Sequence, residues 1–152
     1  MSEPLQKTLL NCLKDYFDRN AGLYAVEMAF LFGSRAAGFP RQDSDVDIGI
    51  VFGDSLNSDK ELFEIITKIS LALSSEIEAD ANVVPIYGDF RNPMLYYNII
   101  VKGVLIWTRD SAKYLQLRNE AVYHMEDFEI FGKKWQIEIT NKNLAALGHA
   151  RV

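Results

Sequence analysis

The chain has 152 residues, and its 16 lysines and arginines against 21 aspartates and glutamates give a net charge of −5. This length predicts one domain with a buried core, and the acidic balance argues against a nucleic-acid-binding module, which normally carries a basic face. The single cysteine excludes an intramolecular disulfide, and the sequence contains neither the apolar core of a signal peptide nor an apolar run of membrane-spanning length. We therefore expect the protein in the cytoplasm.

Apolar residues at helical spacing alternate along the chain with short apolar runs that are typical of strands. The helical patterns cover residues 4–19, 58–74, 93–103 and a long stretch that begins at residue 110. The runs typical of strands cover residues 23–32, 45–52, 79–87 and 104–107. This alternation predicts an α/β or α+β domain with a mixed sheet of about four strands flanked by helices.

Local signals refine the ends of these elements. Ser58-Asp-Lys-Glu61 has the form of a capping box, and Asn92-Pro93 that of an N-cap followed by the first helical position. Gly49 inside the second strand indicates a close approach of another element to the backbone. Each of these signals predicts a boundary or a contact of one element.

The C-terminal part is expected to extend beyond the sheet. The long helical pattern should be interrupted at Gly132, and the alternation Trp135-x-Ile137-x-Ile139 is too short to assign. We expect a single domain over residues 1–139 that includes a C-terminal helical extension, followed by a mobile tail over residues 140–152.

The stretch that joins the first two strands carries the candidate chemistry. Gly33-Ser34-Arg35 follows an apolar run and reads as a helix start, where exposed backbone N–H groups form a phosphate site. A side chain at Gly33 would block close approach to a phosphate. Ser34 is either a phosphate ligand or a plain N-cap residue, and Arg35 is either a cationic contact or a solvated loop residue.

Two acids begin the second strand. Asp45 and Asp47 are two residues apart, so their side chains point to the same face of a strand. Like charges side by side repel each other, and a bound divalent cation is the usual reason to keep such a pair. The alternative is a pair of exposed acids on an edge strand. Together with the Gly-Ser turn, the pair predicts a site for a metal-bound nucleoside triphosphate.

Gly33-Ser34, ten intervening residues and Asp45-Val-Asp47 together resemble the signature of the nucleotidyltransferase superfamily that includes DNA polymerase beta and the aminoglycoside nucleotidyltransferases. The segments Gly33-Ser-Arg-Ala-Ala-Gly38 and Ser44-Asp-Val-Asp-Ile48 are most similar to the minimal nucleotidyltransferases. Those small proteins typically act as the antitoxin beside a HEPN-domain toxin. The resemblance covers residues 30–107.

The resemblance implies a nucleotidyltransferase fold and an enzyme that transfers AMP from ATP to a tyrosine hydroxyl of a HEPN ribonuclease toxin, which neutralises the toxin. It also implies two Mg²⁺ ions held by Asp45 and Asp47, with Gly33, Ser34 and Arg35 on the nucleotide. No separate acceptor domain is visible, so a partner protein would deliver the acceptor. We expect no direct binding of nucleic acid and no membrane association.

The resemblance further implies a third acid on a neighbouring strand, which binds a metal and activates the attacking hydroxyl. The matching segment, residues 78–86, reads Glu-Ala-Asp-Ala-Asn-Val-Val-Pro-Ile. We predict Asp80 as this catalytic acid and metal ligand. In the other possible register Asn82 takes its position, and catalysis would be weakened or lost, because a neutral amide is a poor base and a poor Mg²⁺ ligand.

Two other functions are compatible with the same residues. A non-catalytic antitoxin would neutralise its toxin by binding alone, with a degenerate nucleotide site and with residues 110–152 as contact surface. A nucleotidyltransferase that modifies a small molecule, such as an antibiotic, usually carries an additional helical domain for its acceptor, which this sequence lacks. The identity of the third acid separates the first alternative from the enzyme.

Overall fold

The structure, a computed structural model, describes residues 3–36, 45–56 and 58–150, and it describes side chains within residues 7–148 of these ranges. Helices and strands follow one another along the described chain much as the sequence predicts, with the first two strands consecutive in this order. They are α1 (Glu3–Asn20), β1 (Val26–Phe32), β2 (Val46–Phe52), α2 (Asp59–Ile77), β3 (Ala81–Ile86), α3 (Pro93–Ile100), β4 (Val104–Thr108) and α4 (Ser111–Ala150).

The four described strands form one mixed sheet in the order β3-β2-β1-β4. β1 pairs antiparallel with both β2 and β4, whereas β2 pairs parallel with β3. The C-terminal end of β1 therefore lies beside the N-terminal ends of β2 and β3. The predicted fold class is confirmed, and this edge of the sheet brings three chain segments together.

Helices cover both faces of the sheet. Alternate residues of β2, such as Val46, Ile48 and Ile50, lie in one core with α1 and α2. A second core, with Phe30 of β1 and Ile99 of α3, lies on the opposite face and includes residues from the first part of α4. Because strand side chains alternate between faces, Asp47 and Gly49 belong to the face that α3 covers.

The local signals are confirmed where the structure tests them. The Ser58 hydroxyl accepts a hydrogen bond from the Glu61 backbone N–H at 3.1 Å, as in the first half of a capping box. Pro93 is the first residue of α3 and Asn92 occupies the N-cap position, although the Asn92 side chain makes no capping hydrogen bond. A Cβ atom built on Gly49 would lie 2.5 Å from Cγ2 of Ile99, so glycine lets α3 pack directly on the sheet.

α4 differs from the prediction. It is one helix of 40 residues that continues through Gly132, where we expected an interruption, and that includes residues 140–150 of the expected tail. A single glycine costs a helix only about 1 kcal/mol relative to alanine, and strong helix formers such as Leu144 and Leu147 support the last turns. None of the described helices, α4 included, combines the length and hydrophobicity needed to cross a bilayer.

Candidate functional site

The candidate site lies at the edge of the sheet where β1 ends and β2 and β3 begin. Asp47, the second residue of β2, pairs with Phe32 at the end of β1 and with Asn82 near the start of β3. The neighbours of Asp47 in sequence, Val46 and Ile48, are fully buried in the α1/α2 core. The Asp47 side chain must therefore point to the other face, and it is half-buried there.

The Gly-Ser turn lies directly against Asp47. Gly33 has a φ of +76°, and a Cβ atom built on it would collide with the Asp47 carboxylate. The Gly33 carbonyl accepts a hydrogen bond from the Ala36 N–H at 3.2 Å. Residues 34–36 form a turn rather than the expected helix start, and this turn presents Gly33 and Ser34 at the surface beside the carboxylate.

Arg35, the next residue after Gly33 and Ser34, is buried. Its side chain is only 8% exposed, so it is not the solvated loop residue that was one of two alternatives. Arg35 is therefore a buried basic residue that follows Gly33 by two positions in the same turn. Whether Arg35 contacts a triphosphate stays a prediction.

Asp45 stands immediately before β2 and is exposed. It precedes Asp47 by two residues, and both carboxylates belong to the same end of the sheet. The residues of the signature between Ala36 and Asp45, including Gly38 and Ser44, lie outside the described residues.

The register of β3 determines which of its residues lies beside Asp47, where the resemblance implies a third acid. Asn82, not Asp80, is paired with Asp47, and its Nδ2 donates a hydrogen bond to Oδ1 of Asp47 at 3.3 Å. Asp80 is exposed and precedes β3, and its backbone carbonyl accepts from the Val46 N–H at 2.8 Å. Geometry thus favours Asn82 for the third position, which is the alternative to our prediction of Asp80.

The donor atoms fit a divalent cation that is shared with a nucleotide. Asp45 and Asp47 supply carboxylate oxygens and Asn82 an amide, and hard oxygen donors are what Mg²⁺ prefers. Over the described residues, no three His, Cys, Asp or Glu side chains are grouped closely enough to bind a metal by themselves. The position paired with Asp47 thus carries an amide, whereas the exposed Asp80 carboxylate lies two residues earlier, directly before β3.

Sequence reasoning recognised the turn and the paired acids, but it did not identify the hydrogen bond from Asn82 to Asp47. The signal for it was weak, since Asp80 and Asn82 differ by two residues and share one strand face. Only the pairing of β2 with β3 separates them.

A sheet of this order, with a glycine turn packed against a strand that begins Asp-x-Asp, defines a nucleotidyltransferase fold. The model of the polymerase beta nucleotidyltransferase family matches residues 11–112, which is more than half of the chain. The chain therefore belongs to this family, and nucleotidyl transfer is the class of activity that the family defines. A comparison with curated proteins finds no match.

Several solved structures with the same fold are chains of toxin–antitoxin complexes. A chain of a toxin–antitoxin crystal structure with AMP-PNP superposes with a TM-score of 0.63 at 15% identity, covering 84% of this chain and 98% of its own. A chain of the Shewanella oneidensis tri-AMPylated HEPN toxin in complex with MNT antitoxin gives 0.60 at 16%, covering 89% and 98%. A chain of the MntA–HepT toxin–antitoxin gives 0.56 at 14%, covering 91% and 99%. At these identities the likeness shows a shared fold.

Proposed function

We propose that this protein is an antitoxin nucleotidyltransferase that transfers AMP from ATP to a tyrosine hydroxyl of a cognate HEPN ribonuclease toxin and so neutralises it. The observation that carries the proposal is the contact of the Gly33 turn with Asp47 in a chain of the nucleotidyltransferase family. Structural neighbours from complexes with AMP-PNP and with an AMPylated HEPN toxin support the choice of nucleotide and acceptor.

The proposed roles follow from the position of each group. The backbone N–H groups of the turn and the Ser34 hydroxyl bind the β- and γ-phosphates, and Arg35 adds positive charge beneath them. Asp45 and Asp47 hold two Mg²⁺ ions, which when bound offset the charge of the triphosphate and of the leaving pyrophosphate. Gly33, Ser34 and Asp45, described residues at this end of the sheet, are exposed, and in this proposal an acceptor hydroxyl from another protein reaches the α-phosphorus there.

The transfer itself exchanges one phosphorus–oxygen bond for another. The tyrosine oxygen forms a bond to the α-phosphorus, the bond to the bridging oxygen breaks, and pyrophosphate leaves with that electron pair. The tyrosine proton passes to a general base. We propose the Asp80 carboxylate, which directly precedes β3, for this role. The Asp80→Asn variant tests that role.

The partner surface that we propose is the second half of α4. Beyond Gly132 this helix carries large apolar side chains that are more than half exposed, namely Trp135, Ile137, Leu144 and Leu147. Ile137, Leu144 and Leu147 are seven and three residues apart and so share one face of the helix, and a contiguous exposed apolar patch marks an interaction site. In this proposal the protein works in the cytoplasm on a protein substrate, without binding nucleic acid.

The test is label transfer to the partner. The full chain is incubated with ATP labelled at the α-phosphate, Mg²⁺ and the HEPN protein encoded beside it. The expected result is label on the HEPN protein, lost in the double variant Asp45→Ala, Asp47→Ala. Asp54→Ala is the matched control, because Asp54 is an exposed acid in the turn beyond the opposite end of β2 and should leave transfer unchanged. Absence of label with the unaltered chain would contradict the proposal.

A second candidate function is neutralisation by binding alone. The observation in its favour is the amide of Asn82 beside Asp47, as in the alternative register in which catalysis would be weakened or lost. Toxin neutralisation in cells by the double variant Asp45→Ala, Asp47→Ala would establish masking, because that variant lacks both metal-binding carboxylates. Loss of neutralisation with retained binding of the partner would establish the enzyme.

A further inference from the structure

We propose that Asn82 is a positioning residue that holds the Asp47 carboxylate in place of a third metal-binding acid, so that the site binds its second divalent cation weakly. The inference rests on the proposed function, since it concerns the cations of that same site. The resemblance implies three acids at the site, and this chain has an asparagine, Asn82, beside Asp47.

The pairing of β2 with β3 places the Asn82 side chain against the Asp47 carboxylate. Parallel pairing sets Asn82 beside Asp47 on the face of the sheet that α3 covers, with Nδ2 of Asn82 at 3.3 Å from Oδ1 of Asp47. An ionised carboxylate can only accept hydrogen bonds, so the amide must direct its N–H group, not its oxygen, at Asp47. Asp47 is thereby held from β3, while the turn at Gly33 confines it from the other side.

The start of β3 is anchored, so this pairing is well defined. The Ala81 N–H donates to the Ser74 hydroxyl at 2.9 Å, and the Ser70 hydroxyl donates to the Ala81 carbonyl at 2.6 Å. Ala81 itself is buried in the α1/α2 core. A shift of β3 that would bring Asp80 opposite Asp47 would break both hydrogen bonds and displace this buried residue.

The charge of the site then limits its cations. Two Mg²⁺ ions carry four positive charges, which the phosphates and the protein carboxylates must balance together. Affinity for such ions follows the number of charged ligands. One cation arrives with the triphosphate, whereas the other depends more on the protein, and replacing a carboxylate by an amide removes one of its charged ligands.

The same substitution has an opposite effect when no cation is bound. A carboxylate at residue 82 would lie beside the Asp47 carboxylate, and like charges directly opposite each other on a sheet are destabilising. Asn82 replaces this repulsion with a hydrogen bond. The chain thus gains stability in the cation-free state and loses affinity for the second cation.

The experiment measures cation binding, not only activity. Mn²⁺ is titrated into the full chain with α,β-methylene-ATP, which cannot transfer AMP, and free Mn²⁺ is followed by electron paramagnetic resonance. We expect Asn82→Asp to bind the second Mn²⁺ about 10-fold or more tightly than the unaltered chain. Asp54→Asn is the matched control, because it removes an exposed carboxylate in the turn beyond the opposite end of β2, and it should change nothing.

Thermal unfolding gives an independent readout. In EDTA, the Asn82→Asp variant should unfold at a lower temperature than the unaltered chain. Addition of Mn²⁺ with the nucleotide analogue should raise the unfolding temperature of the variant more than that of the unaltered chain. If the Asn82→Asp variant does not fold, the Asn82→Ala variant tests the inference through its cation binding. It removes the N–H group that holds Asp47 and should weaken cation binding about 10-fold, and unchanged binding would overturn the inference.

Other outcomes are equally decisive. Loss of cation binding in Asp80→Asn, with no gain in Asn82→Asp, would make Asp80 the third ligand and overturn the inference. So would a failure of every variant, Asn82→Asp included, to bind Mn²⁺. If the cation affinities change as expected but no AMP reaches the HEPN protein, the inference stands and the proposed function fails.

Discussion

Gly33 is the most constrained single residue of the candidate site. Its backbone lies in the left-handed region at φ +76°, where residues with a side chain are strained. A Cβ atom there would also collide with the Asp47 carboxylate. These two constraints are separate, one from the backbone and one from the site, and both favour glycine.

Replacing Gly33 with alanine should therefore affect both stability and the site. We expect a loss of about 1–2 kcal/mol in the free energy of unfolding from the left-handed backbone, measured by urea denaturation. We also expect weaker binding of Mg²⁺-ATP by calorimetry, because the Asp47 carboxylate must move. Gly22→Ala is the matched control, since nothing lies within 4 Å of a Cβ atom at Gly22. Full nucleotide affinity in Gly33→Ala would contradict the role of this contact.

Tyr16 on α1 gives a pH-dependent test of the core. Burial raises its pKa to about 12, and the nearby Tyr24 and Glu76 add to the shift. The folded pKa is higher than the usual value of about 10, so the neutral phenol is favoured in the folded state. Its contribution to stability is complete below about pH 10 and is lost as the pH rises through about 12.

Phenolate absorbance should report the ionisation of Tyr16 only at this high pH. The Tyr16→Phe variant should lose the part of the alkaline destabilisation that Tyr16 causes. A normal ionisation of Tyr16 in the folded protein would contradict the burial that the structure shows.

Among the elements, α3 is the one whose position depends on a single glycine of the sheet. It packs on β2 so closely that a Cβ atom on Gly49 would lie 2.5 Å from Ile99 Cγ2 and 3.3 Å from Ile86 Cδ1. Ile99 is fully buried. The close packing of α3 thus depends on Gly49, which lies two residues beyond Asp47 on the same strand face.

Gly49→Ala should overpack this contact. We expect a loss of about 1–3 kcal/mol in the free energy of unfolding, whereas Ile99→Ala should cost about 2–5 kcal/mol by leaving a cavity. Because the new methyl group can occupy part of that cavity, the double variant should lose less than the sum of the two. Strict additivity in chemical denaturation would show that α3 does not contact β2 at this point. Gly88→Ala is the control, because a Cβ atom there would meet nothing within 4 Å.

The whole molecule combines a packed domain with a long helix that extends beyond it. The first part of α4 packs on α3, where Ala121 is fully buried and the rings of His124 and Phe90 stack at 4.4 Å. Further along, its large apolar side chains are exposed. A helix of 40 residues is about 60 Å long, so its second half is available to a partner.

Deleting residues 133–152 should separate folding from partner binding. We expect the free energy of unfolding to stay within about 0.5 kcal/mol of the full chain, because the side chains described within residues 133–148 are mostly exposed. Binding to the HEPN protein, measured by calorimetry, should weaken strongly. The matched control replaces the exposed charges Glu138 and Lys142 with alanine in the full chain and should leave binding nearly unchanged. A shortened chain that binds the partner with full affinity would contradict the proposed surface.

Much of the fold was predictable because the helices and strands depend on patterns of neighbouring residues. The period of the apolar residues separates helices from strands, and Ser58 and Pro93 mark the starts of two helices. The prediction was wrong at Gly132, where we took the low helix propensity of glycine for a break in α4. Neighbouring turns of helix outweigh a cost of about 1 kcal/mol at one position.

The sequence by itself determined the order of the elements, the glycine turn and the paired acids Asp45 and Asp47, because these depend on neighbouring residues and their alternation. Only the tertiary structure decided that Arg35 is buried and that Asn82, rather than Asp80, lies opposite Asp47. A shift of two residues keeps every side chain of β3 on the same face, so the apolar pattern allows either register. The hydrogen bonds between β3 and α2, which join residues distant from Asp47 along the chain, select one of them.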